Sequence, residues 1–353
     1  MQIDPAFSAY FNGKLRQVFL YITNVCGLRC EHCLYKTSLN IQEMELDATL
    51  NLIELFRSYG AEKLTFLGGE PTLYGLRKRN QPLFRVIERA FELGYAYIRL
   101  DTNGQSKTSI LNHRSFKRIG NLSFSLDGHN AETNDWLRGY GTYSRCVGML
   151  SQAVSLGYYV SVTTCVHPRN LYHLDEVIDH VSHLGAREIN FHPMFKMGIP
   201  RDEFTGETSI TPDQWVIEYH RLSTNIHLDK YKIAVRIPQR FMSNEAFNHS
   251  PDSLSYCPVR MGERVLVHPN GEMRICALSI GSHLSIANYT RDRIVFCGDQ
   301  GEASEERLNR RSCMNQTLDF GDLVPLCISY KPLQHEYVWT TQEFDRRFGK
   351  AAD

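Results

Sequence analysis

Short runs of β-branched and aromatic residues recur along the first part of the chain, at Val18 to Thr23, Lys63 to Leu67, Tyr95 to Leu100, Asn121 to Leu126, Tyr159 to Val166 and Arg187 to Phe191. Between them lie Ala48 to Tyr59, Leu83 to Leu93, Tyr143 to Leu156 and Leu174 to Leu184, where apolar residues return at intervals of three and four, the helical period. Gly60, Gly94, Gly157 and Gly185 follow these four segments, where a helix C-terminus takes a residue tolerant of positive φ. Strand and helix in alternation imply parallel strands joined by right-handed crossovers. The expected architecture is α/β, with six such units.

Period two within the fifth and sixth runs sorts their side chains. Ser161, Thr163, Cys165 and His167 share one face, opposite Val162, Thr164 and Val166; Glu188, Asn190 and His192 oppose Ile189 and Phe191. The polar faces should look into the barrel, giving a mouth suited to a hydroxyl- or amine-rich substrate. Polar residues in a barrel also commonly just hydrogen-bond one another. After Pro200 the pattern changes: residues 201–210 are polar, and Thr211-Pro212 reads as an N-cap and first helical turn, with the helix running to His227. From Cys257 to Cys276 two short strands flank a Pro-Asn-Gly turn, and Cys297, Cys313 and Cys327 follow. The expected division is therefore 1–230 and a smaller α+β unit over 231–353.

Length and composition permit this reading without demanding it. The chain has 353 residues and is 42% hydrophobic, enough for one large domain and a smaller one with full cores. Basic and acidic residues number 39 each, which gives no sign of a nucleic-acid tail, an anionic membrane surface or a strongly charged substrate. The ten cysteines are not preceded by a signal-peptide pattern, since Met1 to Arg16 lack an apolar core, so a reducing cytoplasm is expected. No stretch approaches the roughly 18 consecutive apolar residues of a membrane span.

The chemistry concentrates in Tyr21-Ile-Thr-Asn-Val-Cys-Gly-Leu-Arg-Cys-Glu-His-Cys33. Three thiolates spaced as Cys26, Cys30 and Cys33 can hold three corners of a cubic iron-sulfur cluster and leave the fourth iron open. Zinc is the main rival, but a structural zinc takes four protein ligands, and only His32 lies nearby to complete the set.

This spacing resembles the radical S-adenosylmethionine (SAM) enzymes. So do Lys63-Leu-Thr-Phe-Leu-Gly-Gly-Glu-Pro71, Leu100-Asp-Thr-Asn-Gly104 and Ser123-Phe-Ser-Leu-Asp-Gly128, which follow in the family's order. The resemblance covers roughly residues 15 to 200 and implies a partial (β/α)6 barrel, whose chemistry sits at the C-terminal strand ends. It also implies a 4Fe-4S cluster that chelates SAM at its open iron. Gly68 and Gly69 would let a ligand approach the backbone, and Glu70 would accept from the SAM ammonium. Asn103, Ser125 and Asp127 are candidates for the ribose or carboxylate, although Asn-Gly and Asp-Gly are also ordinary turn formers. Arg138 suits a bidentate grip on a carboxylate, with a surface ion pair as the alternative, and His32 and Tyr35 would stack on adenine or shield the cluster.

Residues beyond the barrel resemble the twitch or SPASM extensions, which implies one auxiliary 4Fe-4S cluster held by Cys257, Cys276, Cys313 and Cys327, with Cys297 the rival to Cys313. A zinc site or buried free thiols are the alternatives there, and Cys146 reads as a buried thiol. By the same resemblance, an external one-electron donor such as flavodoxin or ferredoxin reduces the first cluster. SAM is then cleaved to a 5′-deoxyadenosyl radical that takes a hydrogen atom from substrate. Cys165, His167, Glu188 and His192 would shape the outcome, either two-electron oxidation or epimerisation through hydrogen return from Cys165. About 25 residues precede Cys26, little room for a leader-binding region, so the expected substrate is a small molecule: a sugar, aminocyclitol or similar natural-product intermediate. A peptide or protein side-chain maturase is the alternative, and a non-enzymatic iron-sulfur or zinc protein a remoter one.

Overall fold

A computed structural model describes residues 1–33, 42–195, 208–225, 230–249, 262–276, 285–290, 293–297, 320–327, 339 and 341–349. Six strands, β2 (Gln17–Thr23), β3 (Lys63–Gly68), β4 (Tyr97–Thr102), β5 (Asn121–Ser125), β6 (Val160–Val166) and β7 (Glu188–Pro193), pair in sequence order and all in parallel. They are preceded by β1 (Gln2–Ile3) and helix α1 (Pro5–Phe11). Crossovers carry α2 (Leu46–Ser58), α3 (Gln81–Glu92), α4 (Ala131–Arg138), α5 (Thr142–Ser155) and α6 (Leu174–His183). The mixed α/β class and parallel barrel agree with the sequence pattern. The four expected helix-ending glycines have φ of 102°, 75°, 80° and 87° at Gly60, Gly94, Gly157 and Gly185. The third strand begins two residues later than its apolar run, because the Tyr95 ring is buried and its hydroxyl donates to Ile53 O at 2.7 Å. The helix expected to reach His227 is Pro212–Asn225 (α7).

The two faces of the barrel sheet differ sharply. Leu64, Phe66, Ile98, Leu100, Leu122, Phe124, Val162, Ile189 and Phe191 are buried, sharing one core with Leu52, Phe56, Val86, Ile87, Met149 and Val177 of the surrounding helices. Alternate positions face the other way, into the barrel. Register places Thr65 beside Arg99, Asp101 beside Ser123, Ser125 beside Thr163 and Cys165 beside His192 on that inner face.

Strands beyond residue 230 continue this sheet at both edges. Ala234–Arg236 (β8) pairs with β7, while Arg264–Val267 (β10) returns to the opposite edge and pairs in parallel with β2. The Pro-Asn-Gly hairpin joins β10 to Glu272–Arg274 (β11), and Ala287–Thr290 (β12) and Arg293–Phe296 (β13) complete twelve strands, ending at β1. A separate antiparallel pair joins Gln239–Ser243 (β9) to Leu323–Cys327 (β14). The expected division at residue 230 therefore falls within a continuous hydrogen-bonded sheet. Among the described residues, no helix is long and apolar enough to cross a membrane.

Candidate active site

The loop carrying the three cysteines leaves β2 at the C-terminal rim of the barrel, and the end of β3 lies directly against it. Gly69 N donates to Thr23 O and Glu70 N to Val25 O, both at 2.7 Å. A Cβ on Gly68 would lie 2.1 Å from Thr23 O, and one on Gly69 2.4 Å from Val25 O. The two glycines thus admit the backbone of the cysteine loop itself, the close approach that only glycine allows.

Glu70 is 2% exposed and both its carboxylate oxygens are hydrogen-bonded. Oε1 accepts from Thr72 N (3.1 Å), Thr72 Oγ1 (2.6 Å) and Thr102 Oγ1 (2.8 Å), and Oε2 accepts from Asn103 N (2.7 Å). Burial raises its pKa and these donors offset only part of that rise. These four donors, three on Oε1 and one on Oε2, bind β3's end to β4's end. Asn103 in turn reaches Cys26 Sγ through Nδ2 at 3.5 Å, and Leu28 N donates to the same sulfur at 3.4 Å. Burial raises the Cys26 thiol and pushes Cys30 up to about 11, and each of these two feels the charge of Cys33. Three thiols this close, one of them already given N–H donors, fit an iron-sulfur cluster: metal binding removes the protons, and donors to sulfur support the ligating thiolate.

A second buried cluster faces the same cysteines from β5, β6 and α4. Asn134 and Arg138, four residues apart, share a face of α4. Asn134 Oδ1 accepts from Asp127 N at 3.0 Å, and Arg138 Nε lies 2.6 Å from Asp127 Oδ2. Asp127 Oδ1 accepts from Cys165 N at 2.8 Å, and Glu31 N donates to Leu137 O at 2.9 Å, holding the cysteine loop over the helix end. His32 Nε2 is 4.0 Å from Asp127 Oδ2, and ligand atoms of His32, Asp127 and Cys165 all lie within 4.8 Å of one another. The Asp127 carboxyl is driven up by burial, but the Arg138 and His32 charges leave it below its ordinary value. Burial lowers His32 to about 4 and holds His167, which is tilted against Trp136 at 5.0 Å, below its usual range. Unlike Glu70, this cluster is not closed: beside the Arg138–Asp127 ion pair, His32 Nδ1 and His167 Nε2 are buried without an aligned hydrogen bond. A carboxylate and a guanidinium side by side, next to two buried imidazole nitrogens and the thiols, fit a zwitterionic cofactor such as SAM.

Inside the barrel, Arg99 was not singled out from sequence, although period two applied to β4 would have found it. Its Nε contacts Asp101 Oδ1 at 2.5 Å, and Nη2 donates to Ser123 Oγ (2.8 Å) and Thr163 Oγ1 (3.3 Å). Glu188 contacts Arg236 Nε at 2.7 Å and accepts from Asn190 Nδ2 at 3.1 Å. Both Glu188 and Asn190 are thus committed within the wall. Cys165 is half-buried between this wall and the cysteine loop, and burial raises its pKa, so the sulfur keeps its hydrogen. Ser125 is half-buried at the end of β5.

Of the expected auxiliary ligands, Cys276 is buried just after β11, and Cys327 ends β14 opposite Gln239. Cys297 is exposed, its sulfur accepting from Asn288 Nδ2 at 3.0 Å, and Cys146 is buried in α5 as expected. Tyr35, Cys257 and Cys313 lie outside the described residues.

A parallel barrel with three thiols at its strand-end rim and a charged, buried cluster beside them fits an iron-sulfur enzyme that binds a small polar cofactor. Residues 20–181 match the model of the radical SAM superfamily. That segment is a radical SAM domain, of a superfamily whose members bind a 4Fe-4S cluster and SAM. It is 22% identical to a GTP 3′,8-cyclase of Clostridium perfringens over 96% of this chain and 97% of that protein. It is 23% identical to the mycofactocin maturase MftC of Mycobacterium tuberculosis over 77% of this chain and 66% of MftC. Among solved structures, SuiB of Streptococcus suis bound to SAM superposes with a TM-score of 0.59 at 15% identity, covering 76% of this chain and about 62% of SuiB's length.

Proposed function

We propose that this radical SAM enzyme acts on a polar small molecule held in the barrel, by epimerisation or two-electron oxidation. The observation that carries the reading is the position of Cys165, on the inner face of β6 opposite His192 and within 4.8 Å of the His32 and Asp127 ligand atoms. When bound, the cluster and SAM supply a carbon radical that removes a hydrogen atom from substrate. Cys26, Cys30 and Cys33 hold the cluster, and Asp127, Arg138, His32 and His167 orient SAM. Cys165 returns a hydrogen atom to the other face of the substrate radical, and its sulfur regains an electron and a proton to complete the cycle. Glu70 acts by holding Asn103 and the cysteine loop in place. An external one-electron donor of the flavodoxin or ferredoxin kind, a cytoplasmic setting, and an auxiliary cluster held within 231–353 by Cys257, Cys276, Cys313 and Cys327 belong to the same reading.

MftC, by its name a maturase, favours a second reading, in which the substrate is a peptide side chain. Incubating the reconstituted, reduced enzyme with candidate substrates and following 5′-deoxyadenosine separates the two. Acceleration by peptides alone would overturn the small-molecule reading. In deuterated water, Cys165→Ala should still release 5′-deoxyadenosine while product deuterium falls to background; undiminished incorporation would remove Cys165 as the donor.

A further inference from the structure

On the inner face of β2 to β8 and β10, positive side chains outnumber negative ones: Lys63, Arg99, Arg236 and Arg264 against Asp101 and Glu188. Two of the inner polar groups have capacity to spare. Arg99 commits Nε to Asp101 and Nη2 to Ser123 and Thr163, which leaves Nη1 for another acceptor. Three of its five N–H donors are thus held by side chains of three strands, which fixes the two on Nη1 in place to meet an oxygen of a carboxylate or phosphate. His192 makes no hydrogen bond among the described residues, is half-buried, and faces the Arg99 and Arg264 charges. Burial and those two cations hold it near pKa 4, so at neutral pH it presents one N–H and one lone pair rather than a third charge.

Resting on the reading that the barrel holds the substrate, we infer that the substrate carries an anionic group, a carboxylate or phosphate, anchored by Arg99 with His192 as its neutral hydrogen-bonding neighbour. Cys165, paired with His192 across β6 and β7, then lies one residue pair from the anchor, so gripping the anion fixes which carbon faces the thiol. This narrows the hydroxyl- or amine-rich expectation: an amine, cationic at neutral pH, meets the wrong sign of field here.

The test is binding, read separately from SAM cleavage so that the two readings can fail independently. With reconstituted full-length protein saturated with SAM, which occupies the Arg138 pocket, the thermal midpoint is followed against inorganic pyrophosphate, succinate, glucose and putrescine. Pyrophosphate or succinate should raise the midpoint saturably, the first pointing to a phosphoryl group and the second to a carboxylate, while glucose and putrescine should not. Arg99→Gln should weaken that binding about tenfold or more, the loss of one charge-assisted contact, while Arg118→Gln on the surface leaves it unchanged. Because Arg99 also ties three strands, His192→Gln, which breaks no hydrogen bond of the fold, provides a second variant and should weaken binding several-fold. The inference is overturned if neither anion stabilises the protein, if the anion effect persists undiminished in both variants, or if putrescine stabilises it more than the anions do.

Discussion

Two buried polar clusters meet the same cysteine loop, and they are built on opposite terms. Around Glu70 both carboxylate oxygens accept, three donors from Thr72 and Thr102 on Oε1 and one from Asn103 on Oε2, and the set ends on Cys26 Sγ. Around Asp127 a 2.6 Å ion pair with Arg138 stands beside two buried imidazole nitrogens, His32 Nδ1 and His167 Nε2, that lack an aligned hydrogen bond. A closed network rigidifies, whereas an open one costs free energy until something fills it. On the proposed function, the first cluster holds the loop and the second receives the cofactor.

The sharpest way to break that assignment is Glu70→Ala. It strands four buried donors, each costing about 1–3 kcal/mol when unsatisfied, so a loss of roughly 3 kcal/mol or more is expected in anaerobic urea unfolding, with lowered iron content. Stability and iron both at wild-type levels would show that the network holds nothing. On the other side, Arg138→Lys keeps a charge opposite Asp127 but removes the planar fork. Unfolding should change by less than about 1 kcal/mol and iron content should hold, while SAM affinity falls about tenfold. Unaltered SAM affinity would reduce Arg138 to a counter-ion for Asp127.

Much of this architecture is legible in the sequence, because it is written in local chemistry. Periodicity placed six strands, glycine placed four helix ends, and the spacing of Cys26, Cys30 and Cys33 marked the rim. The division between the two polar clusters was not legible, since Glu70 and Asp127 are both carboxylates at strand ends. What separates them is the donors that fold around each, Thr102 and Asn103 from one strand and Arg138 from a short helix whose eight residues carry little periodic signal. Gly68 and Gly69 announced a close approach, but what approaches them is Thr23 and Val25 of a neighbouring strand end, known only from the pairing register. Likewise β10 reaches β2 across some 240 residues of chain, a contact no local pattern encodes.

A smaller effect sharpens the comparison through pH. His32 belongs to the open cluster, and burial holds its imidazole at about 4 against an ordinary 6.5. The unfolded chain therefore takes up a proton near 6.5 that the folded, metal-free protein takes up only near 4, so stability falls as pH drops through that window and is unaffected above it. Glu70 in the closed cluster has the opposite sign: its raised pKa lets the folded state bind a proton before the unfolded chain does, so acidification favours folding there. Removing the imidazole with His32→Gln should flatten the decline between pH 6.5 and 4 by about 1–2 kcal/mol in urea titrations of the metal-free protein. An unchanged slope would mean that His32 already takes up its proton in the folded protein, and that the pocket beside the cysteines is open enough to water to solvate a charge without a cofactor.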